Sequence, residues 1–169
     1  VTTEKQPFSV APHLELPAKK YHGLFYIAGF AAFSAFASFS LFASLAPSFV
    51  KDIIPWHGPM VSGTSIASIL LVSALSQYSA KKMAPRKALK FGLCSLIVGY
   101  ILLSLCVSMH WSVLFFISVI VAGMGHGLSL LGAFGMIHGM TTTENRAAVM
   151  STYLFIGYLG TILPILAVG

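Results

Sequence analysis

The sequence has very little charge, and this scarcity excludes most soluble classes of protein. Only 8% of its 169 residues are charged, whereas soluble domains carry about 25%, and 57% are apolar. No formal charge occurs between Lys20 and Lys51, between Asp52 and Lys81, between Lys90 and Glu144, or after Arg146. Each of these stretches exceeds the roughly 20 residues that a helix needs to cross a bilayer. They therefore predict membrane-spanning helices.

Acidic residues and cysteines are also few. The four Asp and Glu residues all lie outside the uncharged stretches. Cys94 and Cys106 fall in one predicted helix, about 18 Å apart along its axis, which is too far for a disulfide. The cysteines and histidines are not spaced like the ligands of a metal site or the cysteines of a redox site, so we expect no metal and no cofactor. Paired acids and the motifs His-Glu-x-x-His and Gly-x-Ser-x-Gly are absent as well, which argues against an enzyme.

Five spans are predicted within a transmembrane bundle of residues 21–169. The long stretch after Lys90 is divided near Trp111, because tryptophan favours the headgroup layer. Residues 1–20, with three prolines, predict an extended linker on the cytoplasmic side. The fold class is an all-α polytopic membrane protein. The predicted spans are Gly23 to Phe49, Pro59 to Ser79, Leu89 to Met109, Val113 to Gly139 and Ala147 to Val168.

The basic residues predict an orientation and explain the net charge of +6. With the amino terminus inside, Lys51 alone falls outside, as the positive-inside rule requires. The expected location is the cell (inner) membrane. A nucleic-acid interface is not expected, because it would need these cations on one folded face and membrane spans separate them along the sequence. The residues placed inside are Lys5, Lys19, Lys20, Lys81, Lys82, Arg86, Lys87, Lys90 and Arg146.

His126 is the sharpest candidate for chemistry, because it falls near the middle of the fourth span. Ionisable groups are costly there and mark functional sites by default, and histidine exchanges a proton near neutral pH. The alternative is a neutral histidine that is hydrogen-bonded to a neighbouring helix. His138 lies near the end of the same span and is expected at the interface, where it cannot share a metal with His126.

Other polar side chains in the spans are weaker candidates for a substrate or proton pathway. Tyr153 and Tyr158 in the fifth span, and Ser65, Ser68 and Gln77 in the second, could line a cavity. The same groups also serve packing between helices. A phenylalanine series from Phe30 to Phe42, at every third residue, is interpreted as lipid contact and packing.

The fourth span is rich in glycine. Gly123, Gly125, Gly127 and Gly132 recur at spacings that let another backbone approach closely, so they are predicted to pack helices. A nucleotide-binding loop would need a preceding strand and is excluded within a span. The third span is apolar on nearly every face, which favours contact with lipid.

Several short motifs follow one another along the chain. They are Gly29-Phe30, Ser38, Leu41 to Phe49, Pro85 to Leu89, Ala122 to Gly127, Glu144 to Ala147, Ser151 to Tyr153, Tyr158 to Gly160, and Pro164. With these motifs the sequence resembles the carboxyl-terminal half of the major facilitator superfamily, about its seventh to eleventh helices, in bacterial members of the drug-efflux type. The resemblance implies two six-helix halves with substrate between them. It places the first, second, fourth and fifth spans at the cavity.

The resemblance also implies gating loops on the cytoplasmic side. Arg86 and Lys87, and Glu144 and Arg146, are candidates, with helix capping and an ion pair as the alternative for the last two. Ser76 and Ala80 stand where the family often has Gly and Asp, which argues against a carboxylate-based gate.

The expected function is secondary active transport of a small organic solute, including drug:proton antiport. The alternative is a non-transporting membrane scaffold or channel subunit. The expected partners are membrane lipids, a small-molecule substrate and an amino-terminal six-helix half. Since the chain starts at Val1 and its last span runs to its end, we expect a fragment of a longer protein.

Overall fold

Five α-helices follow a short 3₁₀ helix, Lys19–Tyr21. A computed structural model describes residues 14–53 and 59–168; the side chains of residues 45–53, 59–62, 65 and 168 lie outside this description. No strand occurs among the described residues. The helices are α1 (His22–Ile53), α2 (Pro59–Ser79), α3 (Pro85–Met109), α4 (Ser112–Met140) and α5 (Arg146–Val168).

Local sequence sets both ends of α3. Pro85 occupies the first turn, where its missing N–H leaves no bond unmade and its fixed φ suits a helix. At the other end His110 takes a left-handed conformation with φ of 50°, and its N–H bonds the carbonyl of Cys106. The chain then turns at Trp111 and enters α4. This short turn makes α3 and α4 antiparallel neighbours.

Four helical stretches are long and apolar enough to cross a membrane. α2 adds a shorter apolar stretch, Ile66–Ser79, within the described residues. The all-α, multi-span architecture that the sequence predicts is therefore confirmed. The four membrane-length stretches are Lys19–Ser44, Pro85–Met109, Ser112–Met140 and Arg146–Ala167.

α4 is the central helix of the bundle. It packs most extensively against α3 and also against α2 and α1, whereas α5 packs on α1 and barely touches α4. α3 buries one stripe, which includes Gly92, Leu96 and Gly99, against α4. Its remaining apolar side chains, such as Phe91 and Ile97, are exposed. A helix with one covered stripe and a broad apolar surface suits the lipid-facing position expected for the third span.

The glycines of α4 lie on two opposite faces of the helix. A methyl group on Gly127 would overlap the carbonyl of Ser73 in α2, and one on Gly123 would lie 2.9 Å from the carbonyl of Ile69. On the other face Gly125 and Gly132 meet the backbone of α3. The absence of side chains at these positions lets both neighbours approach the backbone of α4.

One hydrogen-bond chain ties α3 to α1, two helices that otherwise touch little. The hydroxyl of Tyr100 donates to Ser38 Oγ at 2.8 Å, and Ser38 donates to the carbonyl of Ser34 at 2.7 Å. The tie crosses a region in which α4 provides most of the packing.

Replacing Tyr100 with Phe is expected to lower the free energy of unfolding by about 1 kcal/mol, the typical contribution of such a bond. Unfolding in detergent–lipid micelles measures the loss. Tyr26→Phe is the matched control, because Tyr26 is exposed on α1. Equal stability of the Tyr100→Phe and Tyr26→Phe proteins would contradict the proposed tie.

Candidate functional site

The candidate site is built around His126, at the middle of α4. Only 7% of its surface is exposed. Among the described residues that are buried, His126 is the one with a basic side chain. α4 places it opposite α1 and α2, between the glycines that hold α2 close.

Two polar side chains of α2 fix the hydrogen bonding of the imidazole. Ser73 Oγ lies 2.9 Å from Nδ1 of His126, and the Gln77 amide donates to the same Ser73 Oγ at 3.2 Å. Gln77 follows Ser73 by one helical turn, so the two share a face of α2. The result is a chain from Gln77 through Ser73 to His126.

This chain leaves one nitrogen of the imidazole without a protein partner. The Gln77 NH₂ group can only donate, so Ser73 Oγ accepts from it. A hydroxyl oxygen can accept a second hydrogen bond as well as donate one, so the contact between Ser73 Oγ and Nδ1 of His126 is compatible with either tautomer of the ring. Nε2 has no hydrogen-bond partner among the described residues and remains available to another molecule.

Aromatic rings from α1 cover the imidazole. The centroid of the Phe36 ring lies 6.3 Å from that of His126, edge to face, and the Phe39 ring lies 6.0 Å away. Tyr158 of α5 extends the group, with its ring 5.5 Å from Phe36 and 55% of its surface exposed. Three helices thus contribute side chains around one histidine. We call this group the His126 site, and its members are His126, Ser73, Gln77, Phe36 and Phe39.

No fixed charge belongs to the His126 site. The charged residues whose side chains the structure describes lie at helix ends or in the connecting segments. No group of three or more His, Cys, Asp or Glu residues within the described part could hold a metal ion. The site is thus a weakly polar, aromatic cluster with one imidazole.

The structure brings some of the predicted site residues together and separates others. Gln77 and Tyr158 lie near His126. Tyr153 is fully buried in an apolar cluster of α1, α4 and α5, with its ring 5.2 Å from Phe134. Its hydroxyl has no partner among the described residues. Ser68 donates to the carbonyl of Thr64 in its own helix at 2.7 Å, and the side chain of Ser65 lies outside the described residues.

The gating candidates all lie at one end of the bundle, far from His126 along the helices. Arg86 and Lys87 are exposed in the first turn of α3, and Glu144 is exposed before α5. Nε of Arg146 is buried without a partner, and no salt bridge joins it to Glu144 in the described structure. The expected ion pair is therefore not formed. Asn145 instead organises this loop, since its Oδ1 accepts from the Thr142 N–H at 2.9 Å.

Sequence reasoning misses Ser73, Phe36 and Phe39. The Phe series is interpreted as lipid contact, and Ser73 is not distinguished from the other serines of α2. One signal is available for Ser73, because it precedes Gln77 by four residues and so shares its face. No sequence signal distinguishes Phe36 and Phe39 from the other phenylalanines of the series. Only the packing of α1 on α4 places these two rings beside His126.

A bundle of membrane-length helices with a buried polar site between three of them defines a multi-pass membrane protein of the transporter class. The family model of the Major Facilitator Superfamily matches residues 2–164. The chain therefore belongs to the Major Facilitator Superfamily, whose members are membrane transporters and generally not enzymes. No curated protein and no solved structure matches the chain significantly.

Proposed function

We propose that the chain serves in secondary active transport of a small organic solute, and that the His126 site contributes to binding that solute. The observation that carries this proposal is the buried imidazole among aromatic rings of α1, with its Nε2 unpaired among the described residues. Buried ionisable groups in membrane spans are costly and are typical of functional sites.

The chemistry of the site favours an uncharged or amphipathic organic solute. Small-molecule sites are largely apolar with a few placed polar groups. Phe36, Phe39 and Tyr158 offer aromatic surface, and Nε2 of His126 offers one hydrogen-bonding group. Because no fixed charge accompanies them, a multiply charged solute would lose its hydration without a counterion. A solute with an aromatic part and one polar group fits best.

Proton coupling is the form of transport that the hydrogen bonds support. In the neutral ring, Nδ1 either accepts from Ser73 Oγ or donates to it, according to the tautomer. In the protonated ring both nitrogens donate, so Ser73 Oγ can only accept from Nδ1. Gain of a proton therefore restricts the hydrogen bonding between α4 and α2. We propose drug:proton antiport as the form that this coupling takes.

The remaining parts of the transporter follow the family arrangement. We propose that an amino-terminal six-helix half faces α1, α2, α4 and α5 and completes the cavity. The basic end of the bundle is proposed to lie in the cytoplasm, with the protein in the cell (inner) membrane, because of the positive-inside rule.

Transport by proteins with His126→Ala and His126→Gln tests the proposal. Solute-driven proton movement is measured in proteoliposomes with a trapped pH-sensitive dye and a panel of aromatic amines. Both variants are expected to lose the part of the pH dependence of transport that the imidazole contributes, since His126 is the one buried residue with a basic side chain in the described part.

His138→Ala is the matched control, because His138 is exposed near the end of the same helix. It should keep the pH profile of the unmodified protein. An unchanged profile in the His126 variants, at normal levels of folded protein, would give His126 a purely structural role.

A further inference from the structure

A cavity lies at the basic end of the bundle, and it shares no residue with the His126 site. The starts of α1 and α3 and the last turns of α4 enclose about 400 Å³, within the range of about 300–1,000 Å³ typical of small-ligand sites. We call this cavity the basic-end pocket. Its principal lining residues are Tyr21, Leu24, Pro85, Arg86, Met136 and Gly139.

The lining of the basic-end pocket is apolar on its walls and cationic at its rim. Leu24, Met136 and Pro85 supply the apolar surface. Arg86 is exposed and forms no ion pair within the described structure. Lys20 extends over the ring of Tyr21, with Nζ 4.8 Å from the ring centroid. No acidic residue lines the pocket within the part of the chain that the structure describes.

The charge around the pocket is predominantly positive. α1, α3 and α5 begin at this end and α2 and α4 end there, so the charged residues at these helix ends lie at the same end of the bundle. The acids among the described residues of this end are Glu15 and Glu144. The cations are Lys19, Lys20, Lys81, Lys82, Arg86, Lys87, Lys90 and Arg146. An anion is therefore attracted to this end, and one with an apolar tail matches the pocket itself.

We infer that the basic-end pocket binds an anionic phospholipid, with the phosphate at Arg86 and Lys20 and the first part of an acyl chain against Leu24 and Met136. The charge of the rim selects the headgroup, and the apolar walls at the edge of a membrane-length bundle select a lipid over a free anion. The site lies apart from the His126 site, so this inference stands independently of the proposed solute.

Retention of dioleoyl phosphatidylglycerol by the full chain tests the inference. The delipidated protein is incubated in mixed micelles with equal amounts of phosphatidylglycerol and phosphatidylcholine, and bound lipid is counted by native mass spectrometry. Preferential retention of phosphatidylglycerol is expected. Arg86→Ala and Arg86→Gln should each lower it roughly fivefold, the effect of about one cation near an anionic headgroup.

A second variant fills the pocket without changing its charge. A Cβ on Gly139 would meet no atom within 4 Å, and Gly139 lines the cavity, so the side chain of Gly139→Leu begins in open space and reduces the volume of the cavity. We expect a loss of phosphatidylglycerol at least as large as that for Arg86→Ala. Gly23→Leu is its matched control, because Gly23 is equally open and does not line the pocket.

Further measurements distinguish a specific lipid site from diffuse attraction and from a free-anion site. Lys82 is exposed in the same basic loop outside the pocket, so Lys82→Ala should keep most of the bound lipid. A loss equal to that of Arg86→Ala would show diffuse attraction and overturn the site.

Displacement of the lipid by inorganic phosphate would point to a free anion, and full retention by Gly139→Leu would contradict the apolar contact. Burial of the Cys106 thiol verifies that each variant is folded.

Discussion

Replacing Gly127 with alanine is expected to lower the free energy of unfolding by about 3 kcal/mol, at the upper end of overpacking effects. The added methyl group would overlap the carbonyl and Cα of Ser73, which are backbone atoms and cannot turn aside. α2 therefore has to move away from α4. The same shift would lengthen the bond between Ser73 and His126, so transport should fall together with stability.

Thermal unfolding in detergent measures this effect through the reactivity of Cys106, which is buried in the folded bundle. Cys94 is exposed and is first replaced with alanine. Gly139→Ala is the control, because that position is open and alanine favours a helix more than glycine by about 1 kcal/mol. If the Gly127→Ala and Gly139→Ala proteins unfold at the same temperature, the close contact of α2 with α4 is incorrect.

Ser73→Ala is expected to be the most damaging replacement of a serine in α2, with a loss of about 2 kcal/mol. It leaves two polar groups without partners, Nδ1 of His126 and the amide of Gln77. An unpaired buried group costs more than the lost bond contributes. The imidazole of His126 also loses its hydrogen bond to α2, so the pH profile of transport should shift.

A double replacement separates the two unpaired groups. Ser73→Ala combined with Gln77→Leu should be more stable than Ser73→Ala alone, because the unpaired amide is then absent. Ser76→Ala is the control, since Ser76 bonds the carbonyl of Val72 in its own helix at 2.7 Å. A loss in Ser73→Ala no greater than that in Ser76→Ala would show that the hydrogen-bond chain contributes little.

Prediction from sequence succeeds where the signal is local. The gap in charge between Lys90 and Glu144 is long enough for two helices, and the turn between them lies at His110 and Trp111. Glycine spacing points to close contacts of α4, but it does not name the partners. Gly127 meets α2 and Gly132 meets α3, because residues five apart on a helix point to different sides.

The candidate site could also be predicted only in part. His126 is identifiable from the sequence because it is an ionisable residue deep in a span, where the bilayer makes such a group energetically costly. Its partners come from helices that lie far away in sequence, with Ser73 separated from it by 53 positions. Tyr153 and Tyr158 are equivalent candidates in the sequence. The packing of α5 on α1 buries the first in an apolar cluster and leaves the second beside Phe36.

The sequence by itself determined that the chain is a bundle of membrane helices, because hydrophobicity and charge act on each segment independently of its neighbours. It also determined the family, through motifs kept in order along the chain. The tertiary structure alone decided which side chains meet His126, which glycines touch which helix, and where Arg86 and Gly139 enclose a pocket. Those facts depend on the rotation of each helix about its axis, which is set by contacts between segments that no single segment encodes.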